Sequence, residues 1–294
     1  MTPMPKKPTL PQVAAHPEPA VKSEPALKNG GSAPGAGPAF SAGSILLPLI
    51  VGTILILVWD RAVAFSGSEI FPRPLQVAEG ILELGQAGLL FRYVVASLFR
   101  VAWSFLLAVA IGIPLGLALG WFPRAFEALN PLIQVLRPIS PIAWIPIAIL
   151  WFGVSEAAPM MLIFLASVFP ITVSATASVQ NIQSVYVRAA RNFGLSRFQL
   201  FRRVILPATL PQILTGIRIA LGIAWLVVVA AEMIVVNPKT GGLGYLIIDA
   251  RNAGSRYDLV VAGMVIIGLI GLMLDLLVRQ LERFDEVRWG YGNR

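Results

Sequence analysis

The chain has 294 residues, 56% of them apolar and only 13% charged, and a net charge of +8. Several runs of about 20 apolar residues cannot be hidden in an ordinary globular core, so the composition excludes most soluble folds and defines a polytopic membrane protein. The lack of cysteine excludes a disulfide framework and thiolate chemistry, and the basic residues sit at the ends of apolar runs, not in a stripe interleaved with aromatics, which excludes a nucleic-acid surface.

Residues 1–41 are rich in Pro, Ala, Gly and Lys. With almost no large apolar side chains they cannot offset the entropy of ordering, and they read as a disordered cytoplasmic tail. The first apolar run waits until Ile45, too late for a cleaved signal peptide, so it reads as an uncleaved anchor. Six spans are predicted, at 44–65, 93–122, 131–152, 158–179, 209–236 and 259–279. They make residues 42–281 an all-α transmembrane domain with six helices, followed by a cytoplasmic tail at 282–294. An even count places both termini on one side. Lys6, Lys7, Lys22 and Lys28 in the tail and five arginines between spans four and five mark that side as cytoplasmic, whereas 60–92 is slightly acidic.

Between spans one and two, Phe71-Pro72-Arg73-Pro74 precedes an amphipathic stretch with Val77, Ile81, Leu82 and the run 84–90, with acids at Glu79 and Glu83. This pattern suggests a helix on the outer face, with a plain connector as the alternative. Span three carries Pro131, Pro138, Pro141 and Pro146. Each internal proline removes a backbone hydrogen bond, and in lipid the freed carbonyls need neighbours or water, which places this helix inside the bundle. Pro138, Pro141, Trp144 and Pro146 are therefore candidates to line a pathway. The alternative is a kink used for packing on Gly112, Gly116 and Gly120 of span two.

Five ionisable residues fall within the spans: Arg100, Arg137, Arg218, Glu232 and Asp275. A charge in a bilayer is costly unless it faces a partner, a cavity or an interface. At about 1.5 Å of rise per residue, Arg137 and Arg218 fall within two turns of the cytoplasmic ends of spans three and five, with Asp275 at a similar level. Arg100 and Glu232 fall toward the outer side. Pairs between Arg218 and Asp275 and between Arg100 and Glu232 fit these depths, so Arg137, Arg218, Glu232 and Asp275 read as structural charges. Arg100, about two turns in from the outside, is the charge best placed for an anion pathway. The run Gly241-Gly242-Leu243-Gly244 lacks the Lys-Ser/Thr of a phosphate loop and reads as a flexible outer turn.

Residues 184–207, between spans four and five, carry Arg188, Arg191, Arg197, Arg202 and Arg203 and no acid. Gly194 is a helix terminator, Ser196 with Gln199 forms a capping box, and Pro207 closes the segment, so the loop reads as two short helices joined at Gly194. Arg188-Ala189-Ala190, then Gly194, Val204, Leu206 and Pro207 at fixed spacing resemble the cytoplasmic signature of membrane subunits of ATP-binding-cassette importers. That signature has Glu where Arg188 stands and Ile where Val204 stands, so an ion pair made by the Glu does not carry over. The stretches 136–146 and 149–153, Gly216-Ile217-Arg218, Ala231-Glu232 and Gly242-Leu243-Gly244-Tyr245 resemble the nitrate, sulfonate, taurine and bicarbonate branch of these permeases.

The resemblance implies a type I importer permease fold (MetI-like) in the bacterial inner membrane. It implies that 184–207 couples to a cytoplasmic ATPase subunit through Arg188, Ala189, Ala190, Gly194, Leu206 and Pro207. It further implies a solute-binding protein outside, a second permease copy forming a homodimer, no catalytic residue or metal, and no cofactor other than ATP held by the partner. Sulfonate or taurine is the favoured substrate, with nitrate or bicarbonate close behind. The rival readings are a gradient-driven carrier or channel and an intramembrane enzyme. The first leaves the 184–207 spacing unexplained, and the second lacks residues, since the single histidine, His16, sits in the tail.

Overall fold

A computed structural model describes residues 42–67, 70–235, 240–254 and 256–281. The two tails expected at 1–41 and 282–294, with His16, lie outside the described residues. Every described segment of regular structure is helical: α1 (Ala42–Ser66), α2 (Pro74–Gln86), α3 (Leu89–Trp121), α4 (Pro123–Leu136), α5 (Ile145–Phe152), α6 (Ala157–Gln180), α7 (Ser184–Asn192), α8 (Arg197–Leu200), α9 (Leu206–Val235), α10 (Leu243–Asn252) and α11 (Tyr257–Leu281).

Among the described residues, five helical runs are long and apolar enough to cross a membrane: Leu46–Ser66, Leu89–Trp121, Ala157–Gln180, Arg197–Val235 and Tyr257–Gln280. The expected third span, 131–152, is not a straight helix. It begins earlier and is split into Pro123–Leu136 and Pro141–Phe152, bent by 88°. The proline positions explain the bend. Pro131 is carried inside α4, Pro138 falls in the break, Pro141 opens a short 3-10 turn, and Pro146 occupies the first turn of α5, where a missing N–H costs nothing. Counting the bent pair as one crossing gives six.

The centre of the bundle is α6, packed between α3 and α9. Gly112, Gly116 and Gly120 recur at i, i+4 and i+8 on α3, and the face they form lies on α6. A Cβ at Gly116 would sit 2.5 Å from the Thr172 carbonyl oxygen, and one at Gly120 would sit 2.6 Å from the Val179 Cβ. The alternative in which span three packs on this stripe is thus corrected: its partner is span four. Small residues let the two backbones approach, and the Thr176 hydroxyl crosses the gap to donate to the Gly116 carbonyl at 3.1 Å. On the other side of α6, Gly216 of α9 makes room for Ser174. Helix α11 leans on α9 where the Trp225 indole donates to the Ile267 carbonyl at 3.1 Å.

Amphipathic α2 starts at Pro74, where the Arg73 amide donates to Gln76 Oε1 at 2.8 Å. It buries Val77, Gly80 and Leu84. Its outer side is tied down by Arg256, which donates to Glu83 at 2.6 Å and to Asp258 at 2.8 Å. Hydrogen bonding to Asp258 and then Glu83 raises the Arg256 pKa further above its ordinary value, so the clamp keeps its charge at every physiological pH.

Candidate functional site

Two short helices, α7 and α8, meet at Gly194, whose φ of +75° is the left-handed conformation that lets α7 stop and the chain turn back. Ser196 caps α8: its hydroxyl accepts from the Gln199 amide at 3.3 Å, and its own amide donates to Gln199 Oε1 at 3.0 Å. From α8 the chain runs through one π-helical turn, Phe201–Ile205, directly into α9.

One side of this element is rooted in the bundle. Ala190, Leu200 and Ile205 are buried with Leu117, Ala175 and Val179 at the C-terminal ends of α3 and α6, and Trp121 meets Phe201 edge to face at 5.7 Å. The other side is open. Arg188, Arg191, Arg197, Arg202 and Arg203 are all exposed, and so are Ala189, Leu206 and Pro207. Phe193 and Phe198 stand 84% and 71% exposed between the arginines. Ala189 and Ala190, read together in sequence, are therefore divided between the two sides. Arg188 turns along its own helix to donate to Ser184 at 3.0 Å. An apolar and basic surface on a rooted base is what a helix needs to seat in a groove of a partner protein.

At the opposite end of the bundle lies a buried ionic cluster. Arg100 of α3 and Glu232 of α9 are each 1% exposed, and Arg100 Nη1 donates to Glu232 Oε1 at 2.5 Å. The same guanidinium reaches Glu156, just before α6, through Nε at 2.5 Å and Nη2 at 2.9 Å, and it also donates to the Thr240 carbonyl. Glu232 accepts in addition from the Ser97 hydroxyl at 2.8 Å and the Gly244 amide at 2.9 Å, while the Leu243 amide donates to Ser97 at 2.9 Å. The 241–244 run is buried against this carboxylate, and a Cβ at Gly242 would collide with it. The run is thus a packed cradle and not the flexible turn expected for it. Both carboxylates and nearly every Arg100 donor are satisfied, so the cluster is a lock between α3, α6 and α9. The pathway role expected for Arg100 is corrected on this ground: its guanidinium is enclosed and nearly all its donors are engaged.

Sequence reasoning missed Glu156, Ser97 and the Thr240 carbonyl. Glu156 had a signal, since it stands at the outer start of span four, the depth assigned to Arg100. Among the other charges, Arg218 and Asp275 come together, with Nε to Oδ1 at 2.8 Å, and Arg279 closes on the same carboxylate at 3.2 Å.

Arg137 is in a different setting from the one its sequence position suggests. The bend places it at the corner between α4 and the 3-10 turn, lining a cavity of about 230 Å³ with Pro141 and Trp144. The opposite walls are Ala166 and Pro170 of α6 and Ile219 and Ile223 of α9. Those residues lie near the middle of α6 and α9, so Arg137 sits at mid-bundle depth. The straight-helix rise that put it near the cytoplasmic end fails at the bend. Pro138 and Pro146 flank the corner but are not among the cavity's lining residues.

The described residues form an all-helical bundle with one sharply bent crossing and a rooted pair of short helices at one end, an arrangement suited to moving a solute. Comparison with known proteins agrees. Residues 108–284 match the family model of the binding-protein-dependent transport system inner membrane component, and the chain belongs to that family of translocation subunits, which are not enzymes.

It is similar to the taurine transport system permease protein TauC of Escherichia coli, 39% identical over 246 residues that cover 80% of this chain and 87% of TauC. The nitrate import permease protein NrtB of Leptolyngbya laminosa is 41% identical over 224 residues, 72% of this chain and 78% of NrtB. The bicarbonate transport system permease protein CmpB of Synechococcus elongatus is 37% identical over 251 residues, 82% of this chain and 89% of CmpB. Among solved structures, a bacterial alginate ABC transporter in complex with its alginate-bound periplasmic protein shares the fold with a TM-score of 0.59 at 16% identity, over 82% of this chain and 93% of that one. The protein is a multi-pass inner-membrane component with the permease fold of these importers.

Proposed function

We propose that this chain is the translocation subunit of an ATP-driven importer of a small oxyanion, with sulfonate or taurine favoured and nitrate or bicarbonate close behind. The observation that carries the reading is the set of relatives named for taurine, nitrate and bicarbonate transport, each matching over at least 72% of this chain. Two copies form a homodimer around the transport path, and a solute-binding protein delivers the anion from outside. Two ATPase subunits bind all the ATP, and the permease holds no cofactor.

The 184–207 element is the contact with the ATPase, on the cytoplasmic side together with both termini. Its exposed surface of Phe193, Phe198, Ala189 and five arginines seats in the ATPase, while Ala190, Leu200 and Ile205 root it in the bundle. Gly194 sets the turn between α7 and α8, and Leu206 and Pro207 join the element to α9. Closure of the ATPases carries this element with them and switches the helices between inward-open and outward-open, which is alternating access. Pro138, Pro141, Trp144 and Pro146 build the bent corner that lines the path.

The test is growth of a strain without its own such importers, supplied with this chain, its ATPase and its binding protein. Rescue on taurine or alkanesulfonate as sole sulfur source assigns an organosulfonate importer. Rescue only on nitrate as sole nitrogen source moves the assignment to inorganic anions. Failure on both, from a complex that hydrolyses ATP in response to its binding protein, refutes those two substrates and leaves bicarbonate to be tested.

A further inference from the structure

We infer that the mid-depth cavity at the α4 to α5 bend is an anion-binding station on the transport path, with the Arg137 guanidinium as its charge and Trp144 as its apolar wall. The inference rests on the small-oxyanion reading above and adds to it the residue that meets the anion inside the membrane.

Among the described residues Arg137 has no carboxylate partner and no side-chain hydrogen bond, whereas Arg100 and Arg218 are both paired with carboxylates. It is also the only ionisable residue lining the cavity, whose walls are otherwise aliphatic, aromatic or proline. An unpaired cation at this depth is costly unless it faces a water-filled cavity or receives a counter-ion. The cavity, at about 230 Å³, is far larger than the roughly 15 Å³ that one water requires. It therefore has room for a hydrated or partly dehydrated oxyanion.

The chemistry fits that occupant. A guanidinium presents paired N–H groups in a fixed fork that matches two oxygens of a nitrate, bicarbonate or sulfonate. Trp144, Pro141, Ile219 and Ile223 supply the apolar surface on which a small organic group would rest. Pro170 has no N–H, so the Ala166 carbonyl lacks its usual helical donor on the far wall. That acceptor suits an ammonium or hydroxyl at the other end of a zwitterionic substrate such as taurine.

The position also suits a station that releases its cargo. The walls come from α4, the 3-10 turn, α6 and α9, and α9 is continuous with the π-turn and the α8 contact. A movement of α9 shifts Ile219 and Ile223 against Arg137 and changes the affinity of the site between the two states, which a transport site requires.

The experiment uses the whole complex, permease with its own ATPase and binding protein, in proteoliposomes, with labelled taurine, methanesulfonate, nitrate and bicarbonate as probes. Because the external protein sets the apparent KM, the effect is expected in the rate. Arg137→Met should lower uptake of the transported anion by about tenfold or more, Arg137→Lys should recover much of it, and Arg137→Glu should abolish it. Binding-protein-stimulated ATP hydrolysis should persist in all three, so ATP consumed per anion rises.

A merely structural role would not order the variants by charge while leaving stimulated hydrolysis intact. Arg137→Gln carries the same expectation as the Met variant and replaces it if that variant does not assemble. Normal uptake by Arg137→Met or Arg137→Gln, or a Lys variant no better than either, overturns the station while leaving the importer reading in place. A wild-type complex that takes up none of the four anions while its ATPase responds to the binding protein overturns the small-oxyanion reading and the station with it.

Discussion

Arg100 and Arg137 stand 37 positions apart in the same bundle, in opposite surroundings. Arg100 is enclosed by two carboxylates and a carbonyl, and Arg137 faces a cavity with no acid on its walls. Sequence depth alone favoured the first as the group that meets solute and the second as scaffolding, and the surroundings reverse that choice. The lesson is that an intramembrane charge is informative by what it lacks. A satisfied arginine joins helices, and an unsatisfied one at a cavity is waiting for a ligand.

The contrast is easiest to break at Glu232. Glu232→Ala leaves Arg100 buried beside a single remaining carboxylate and orphans Ser97 and the Gly244 amide, so the loss should be about 3–5 kcal/mol and should show as a collapse of thermal stability in detergent. An unchanged melting temperature would mean the cluster locks nothing. Gly242→Ala attacks the same lock from the cradle side. The added methyl has to displace the carboxylate, at a cost of about 1–3 kcal/mol by the same measurement.

Gly194→Val tests the far end of the bundle. A β-branched residue at φ +75° costs about 1–2 kcal/mol locally. Its main effect should be weaker ATPase association in pull-down and loss of transport-coupled hydrolysis, with the bundle's own melting little changed. The Arg218 and Asp275 pair is intermediate, partly exposed on both side chains, so Asp275→Asn should lower the melting temperature only slightly. Arg137→Met should sit at the bottom of the stability scale, within about 0.5 kcal/mol, because it breaks no ion pair or side-chain hydrogen bond. A large destabilisation there would place Arg137 among the locks and erase the contrast.

Much of the fold was legible because lipid is an unforgiving solvent. The runs that became α1, α3, α6, α9 and α11 are apolar over most of their surface, as exposed Ile54, Leu55 and Leu57 on α1 illustrate, and a helix satisfies their backbones within the segment itself. The turn at Gly194 and the cap at Ser196 were legible because each is a local interaction within four residues.

What escaped depends on distance or on bending. Glu156 finds Arg100 across 56 positions from a connecting segment, where a span-by-span inventory of charges does not look. The glycine stripe declares that a helix comes close without saying which one. The depth of Arg137 followed from a straight rise that the prolines around it had already made untenable.

The helical run Arg197–Val235 is unbroken over 39 residues. One end carries the Ser196 cap and the exposed Phe198, and the other carries Glu232 in its lock with Arg100. At about 1.5 Å per residue the two lie some 50 Å apart on a single rod. A torque applied at the first end therefore reaches the second without passing through any loop, and the π-turn at Phe201–Ile205 is the one place along it wound differently from the rest. Deleting one residue from that turn would rotate the whole downstream shaft by about 100° relative to α8, so the turn sets the phase between what grips the rod at one end and what holds it at the other.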